Sequence, residues 1–159
     1  MSETLHFRPS PTRRGFSLIE LMIAVAVMAV IVAIAVPTYQ GTVRKSRRAE
    51  ATASLTAIMQ AQERWRSNNP AYCTELTAAP TDDPAGLGQS DSTSGGYYTL
   101  ALSNVGANGY TVTATATAGK SQAEDGDCAT LRIRMNAGNI NYGSASGWDD
   151  AASRKCWAR

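Results

Sequence analysis

The chain has 159 residues, enough for one domain with a modest core. Fifteen Lys and Arg against thirteen Asp and Glu leave a formal charge of +2, which gives no support to a nucleic-acid protein. Three cysteines lack any CxxC spacing and the single histidine is His6, so a Cys/His metal site has almost no basis.

The first fifteen residues carry Arg8, Arg13 and Arg14 against Glu3, a surplus of +2, so the remaining side chains hold 12 positive and 12 negative charges. An apolar run follows from Phe16 to Val36, 21 residues with one charge among them, Glu20. About 20 apolar residues can cross a bilayer as a helix. A carboxylate inside such a span costs at least a few kcal/mol, so its default reading is functional. An ordinary secretory signal cut after Ala33-Ile34-Ala35 would instead leave a soluble exported binding domain. Its apolar core would be about 7–15 residues, shorter than this run, and would not hold a Glu near its start. Taken alone, Glu20 could also snorkel to the membrane surface. Orientation is not set by charge, because Arg44, Lys45, Arg47 and Arg48 follow the run on its far side.

Beyond Pro37 the pattern predicts a helix continuing to about Asn69. Leu55, Ile58, Met59, Gln62 and Trp65 recur at three- and four-residue spacing, with Gln62 the polar exception. Asn68, Asn69 and Pro70 form a stop signal. A helix over residues 17–69 would be roughly 80 Å long, too long for a compact domain of this size. Pro37 removes one backbone hydrogen bond, so a kink is expected there. The cluster from Arg44 to Arg48 reads as a solvated face or a subunit-contact stripe. DNA binding is disfavoured, because no aromatic residues interleave with the charges.

Residues 70–96 are rich in Pro, Thr, Asp, Ser and Gly and read as an irregular loop. Period-two alternation then marks strands. Tyr98, Leu100 and Leu102 share one face, as do Tyr110, Val112 and Ala114, and Ala129, Leu131, Ile133 and Met135. Asn108-Gly109 predicts a tight connection between the first two strands, and Ile140-Asn141-Tyr142 a short fourth. The buried sheet face needs a cover, and the stripe on residues 55–65 supplies one. An α+β architecture follows: a long helix laid on a sheet of three or four antiparallel strands. Cys73, Cys128 and Cys156 allow one disulfide with one thiol left over if this part is exported. With no histidine after the leader, no phosphate loop and no paired-carboxylate motif, an enzyme is the weakest class.

The segment Gly15-Phe16-Ser17-Leu18-Ile19-Glu20-Leu21 resembles the processing site of type IV pilins and the related type II secretion pseudopilins, and Pro37 and Tyr39 fall where that family commonly has them. The resemblance implies a leader, residues 1–15, removed by a prepilin peptidase between Gly15 and Phe16, with N-methylation of Phe16. Residues 16–36 would be a membrane helix and later the filament core. Residues 37–69 would be its amphipathic half, 70–96 a connecting loop, and 97–159 the antiparallel sheet and C-terminal loop of a pilin fold. Glu20 would neutralise the Phe16 amine of a neighbouring subunit and set its axial register, since a paired charge in hydrocarbon is tolerable and an unpaired one is not. The family's usual helix-loosening Gly is replaced by Ala29, and residues 16–40 contain no Gly, which puts melting before Pro37 in doubt.

The same resemblance implies a disulfide between Cys128 and Cys156, closing a loop of about 29 residues and contributing roughly 3.5 kcal/mol in the chain-entropy model. Cys73 is then a free, partly buried thiol; its pairing with either other cysteine is the alternative. Some pseudopilins hold calcium in a C-terminal loop, but Glu124, Asp125 and Asp127 read more simply as a polar turn, so no metal or cofactor is expected. The partners implied are other pilin subunits, the prepilin peptidase, the inner membrane and its assembly platform. The N-terminus would be cytoplasmic and the C-terminal domain periplasmic, then extracellular in the pilus. The Cys156-Trp157 ending looks like a minor pilin supporting pilus assembly, motility or adhesion, with a type II secretion pseudopilin as the alternative.

Overall fold

The computed structural model describes residues 15–157. The leader before Gly15, with Arg8, Arg13 and Arg14, lies outside the described residues, as do residues 158–159. Helix α1 runs from Leu18 to Arg66, and the chain divides into two units between Gln40 and Gly41.

In the first unit every side chain from Phe16 to Gln40 is exposed. The helix continues through Pro37 without a break, and the Thr38 hydroxyl donates to the Ile34 carbonyl at 3.1 Å. By length and composition this stretch can cross a membrane.

In the second unit α1 buries Ala51, Leu55, Ile58, Ala61 and Gln62, the three- and four-residue spacing of one helical face. The helix ends at Arg66, three residues before the expected Asn69. Its last carbonyls are taken by other donors: the Asn69 side-chain amide reaches the Trp65 carbonyl at 2.9 Å, and the Asn68 backbone amide reaches it at 3.1 Å. Asn side chains compete with the next helical turn in this way.

Four antiparallel strands follow in sequence order: β1 (Tyr98–Ser103), β2 (Gly109–Ala116), β3 (Thr130–Asn136) and β4 (Asn139–Ser144). Leu102 lies opposite Val112, and Val112 opposite Ile133, so the expected apolar faces align across the sheet. Tyr98, Tyr110, Leu131 and Ile133 join Leu55 and Ile58 among the largest fully buried side chains. Two corrections concern turns. The β1–β2 connection is five residues, 104–108, and Gly109 is already in β2. Gly109 serves close packing, because a Cβ there would collide with the Met135 carbonyl of β3. The tight two-residue turn lies instead between β3 and β4, where Ala137 and Gly138 have φ of 47° and 83°.

Both sheet edges are covered by their own chain. The Leu100 amide of β1 donates to the Asp91 carbonyl at 2.6 Å. On β4 the Ser144 amide donates to Gly147, and the Tyr142 carbonyl accepts from Asp149 at 2.7 Å. Capped edges do not recruit stray strands. The loop after α1 is held by Gln62, whose buried side chain donates to the Cys73 carbonyl at 2.8 Å and accepts from the Cys73 amide at 2.9 Å. The polar exception in the apolar stripe is therefore a buried amide with both ends satisfied.

Two short 3-10 turns, Ser121–Glu124 and Gly126–Ala129, connect β2 to β3. The basic cluster of α1 grips them. Arg48 Nε meets Asp125 at 3.1 Å, and its Nη1 donates to Cys128 Sγ at 3.3 Å. Arg44 pairs with Glu124 at 3.4 Å, and Arg47 donates to the Ser121 hydroxyl at 2.7 Å. Neither a purely solvated face nor a free subunit stripe describes this cluster: three of its four cations dock the helix within the chain. Below them the Tyr98 hydroxyl donates to the Cys128 carbonyl and accepts from Gln122, each at 2.9 Å. Burial pushes that phenol up to about 12.

Two stability predictions follow from this packing. Leu55→Ala removes a fully buried side chain and should cost about 3 kcal/mol in denaturant unfolding of the detergent-solubilised full chain. Asp125→Ala strands Arg48 in a largely buried site and should cost about 2 kcal/mol, while adding Arg48→Met should recover part of that loss. Additive losses in the double variant would mean that the pair is not coupled.

Candidate assembly site

Gly15 leads directly into the apolar helix, and a Cβ at that position would meet no atom of the described residues within 4 Å. Phe16 is 78% exposed. Ser17 starts the helix: its carbonyl accepts from the Glu20 amide at 3.1 Å and from the Leu21 amide at 3.2 Å. Glu20 thus lies in the first turn of α1, where the helix dipole favours a negative charge. It is the one charged residue in a largely apolar, wholly exposed surface from Phe16 to Val36. A carboxylate so placed can meet a cation brought by a neighbouring helix as the surrounding side chains are covered.

Cys128 and Cys156 are bonded, with an S–S distance of 2.01 Å. The bond ties the second 3-10 turn to a short helix, α2 (Ala151–Cys156), that the sequence patterns did not reveal. Asp150 caps α2 by accepting from the Ser153 amide at 2.6 Å, and that bond holds its carboxyl below the usual range. The neighbouring Asp149 carboxyl is held low by the Tyr142 amide and then by the Asn141 side chain. Trp157, just past α2, donates to the Gly143 carbonyl at 2.8 Å and meets Tyr142 edge-on with ring centroids 4.9 Å apart. Cys73 is buried and unbonded, and burial raises its thiol.

Of the three carboxylates near the 3-10 turns, Glu124 and Asp125 serve Arg44 and Arg48. Among the described residues no three His, Cys, Asp or Glu side chains cluster as metal ligands. The docking role of Arg44, Arg47 and Arg48 escaped sequence reasoning because their partners lie 74 to 80 residues away. Only the matching of a cationic run to the acidic 124–127 turn could have suggested it.

Residues 37–132, more than half of the chain, match the family model described as "Type IV minor pilin ComP, DNA uptake sequence receptor". Residues 11–36 match the prokaryotic N-terminal methylation motif. The type IV major pilin protein PilA of Myxococcus xanthus (strain DK1622) is 40% identical over 65 residues, covering 41% of this chain and 30% of that protein. The fimbrial protein EcpC of Eikenella corrodens is 28% identical over 138 residues, covering 86% of this chain and 85% of its own. The type II secretion system core protein G of Klebsiella pneumoniae is 28% identical over 78 residues, covering 45% of this chain and 56% of that protein. The chain thus spans less than two thirds of the Myxococcus and Klebsiella proteins. A methylation motif passing directly into a pilin model, on a long apolar helix joined to a four-stranded sheet with a C-terminal disulfide, places this chain in the type IV minor pilin family.

Proposed function

We propose that this chain is a structural subunit of a type IV pilus that is cut between Gly15 and Phe16 by a prepilin peptidase and methylated at Phe16. It waits in the inner membrane with its N-terminus cytoplasmic and its sheet domain periplasmic. An assembly platform then lifts it into the filament among other pilin subunits. There it supports pilus assembly, motility or adhesion, and it has no catalytic role. The observation that carries this reading is the continuous exposed apolar surface of Phe16–Val36 with Glu20 in its first helical turn. Lipid covers such a surface before assembly and neighbouring helices cover it afterwards. The amine freed at Phe16 is the natural partner for Glu20 of an adjacent subunit, because each charge alone is costly in that setting.

The DNA-receptor half of the family description is not carried over. Arg44, Arg47 and Arg48 are engaged within the chain, which leaves Lys45 as the cluster's cation without such a partner among the described residues. A pseudopilin role in type II secretion is the second reading, favoured by the match to core protein G over nearly half of the chain.

Mass spectrometry of the mature N-terminus should find methylated Phe16; a start at Val36 would indicate an ordinary signal peptide and overturn the proposal. Glu20→Ala should insert and be cut normally yet be strongly depleted from sheared filaments, measured against the wild-type chain by immunoblot. Undiminished incorporation would remove the Phe16–Glu20 pair from the mechanism.

A further inference from the structure

Within the unit that begins at Gly41, residues of α1, β4 and α2 enclose a cleft of about 610 Å³. Small-molecule sites run from about 300 to 1,000 Å³. Lys45, Arg48 and Lys155 line this cleft, and no Asp or Glu among the described residues does. Arg48 is paired with Asp125 at 3.1 Å, whereas Lys45 and Lys155 form no ion pair among the described residues. Met59 and Trp157 add apolar wall. Such a lining suits a small organic anion.

Cys156 lines the same cleft, and its disulfide partner Cys128 does not. Both cysteines are buried, so an incoming thiol needs a path, and the cleft supplies one on the Cys156 side. Cys128 faces other groups: its carbonyl accepts from the buried Tyr98 hydroxyl at 2.9 Å, and its Sγ accepts from Arg48 Nη1 at 3.3 Å. Thiol–disulfide exchange depends on which sulfur can be reached and on how readily the other leaves as thiolate. A guanidinium beside a sulfur stabilises its thiolate. Access and leaving ability therefore select the same direction of attack, onto Cys156 with Cys128 as the leaving group.

We propose that Cys156 is a mixed-disulfide site for a small thiol that carries carboxylates. The incoming thiolate attacks Cys156 Sγ and forms a new S–S bond there. The Cys128–Cys156 bond breaks, and its electron pair leaves on Cys128 Sγ as a thiolate beside Arg48. One S–S bond forms as one breaks, so the step needs no outside oxidant. Lys45 and Lys155 draw the carboxylates into the cleft. The adduct unties α2 from the second 3-10 turn, which the disulfide otherwise holds.

The test uses the full chain in detergent micelles with Cys73→Ala, which removes the third thiol. The protein is exposed to glutathione, quenched in acid, alkylated with N-ethylmaleimide in denaturant, digested and mapped by mass spectrometry. Glutathione should sit on Cys156 and the maleimide on Cys128, in about tenfold excess over the reverse arrangement. Lys45→Gln with Lys155→Gln, two exposed positions, should slow adduct formation by glutathione about tenfold and leave its rate with uncharged 2-mercaptoethanol unchanged. High salt should narrow the gap between the lysine variant and its parent. Adducts shared evenly between the cysteines, or found on Cys128, overturn the proposal, as does exchange that occurs only in denaturant. Equal slowing of both thiols by the lysine replacements overturns it too, and so does no slowing of either.

Discussion

The side chains from Phe16 to Val36 have to leave water, and nothing in their own unit removes them from it. They form a run of 21 residues, helical from Leu18 onward, with no buried member. At about 25 cal/mol per Å² of apolar surface, leaving such a helix in water is untenable. Two environments satisfy it, a bilayer and a bundle of like helices. Between these the hydrophobic term nearly cancels, because lipid tails are as apolar as Leu or Val. Transfer from membrane to filament can therefore be governed by smaller and more specific terms. A charge pair at Glu20 is one such term, since it is available in a bundle and absent for a lone helix.

The same helix solves a different problem past Gly41. There Ala51, Leu55, Ile58 and Ala61 close the sheet's apolar face, and polar contacts fix the helix laterally. Gln62 holds the loop after α1, while Arg48 holds Asp125 and touches the disulfide sulfur of Cys128. Asp125 in turn accepts from Gln122, which donates to the Tyr98 hydroxyl. Helix, β1, the 3-10 turns and α2 are thereby linked through one buried polar chain and one disulfide. A subunit pulled by its helix would transmit load through these links.

Much of this was legible in the sequence. Period-two runs located three strands to within two residues, and the Ile140–Tyr142 signal found β4, because one-sided burial imposes alternation on any sheet. The apolar run with Glu20 stood out because its physics is local. What escaped depended on distant partners. Gln62 looked like a flaw in a stripe until Cys73 supplied both of its hydrogen bonds. Asn108-Gly109 looked like a tight turn, but Gly109 answers to the backbone of β3. The cluster from Arg44 to Arg48 looked free because its carboxylates, Glu124 and Asp125, lie far along the chain in the turn before β3. Helix α2 is only six residues long and owes its place to the Asp150 cap and the Cys128 bond, neither of which leaves a periodic signal.

Labelling of a cysteine inside the apolar run probes the filament-core assignment most directly. Val27→Cys and, separately, Ala101→Cys on the exposed sheet face would be assembled into filaments, sheared and treated with a membrane-impermeant maleimide. If the helix is packed inside the filament, the thiol replacing Val27 stays unreactive while the thiol replacing Ala101 labels readily. Labelling of both at similar rates in intact filaments would mean that the apolar surface is not buried there, and would contradict the assignment.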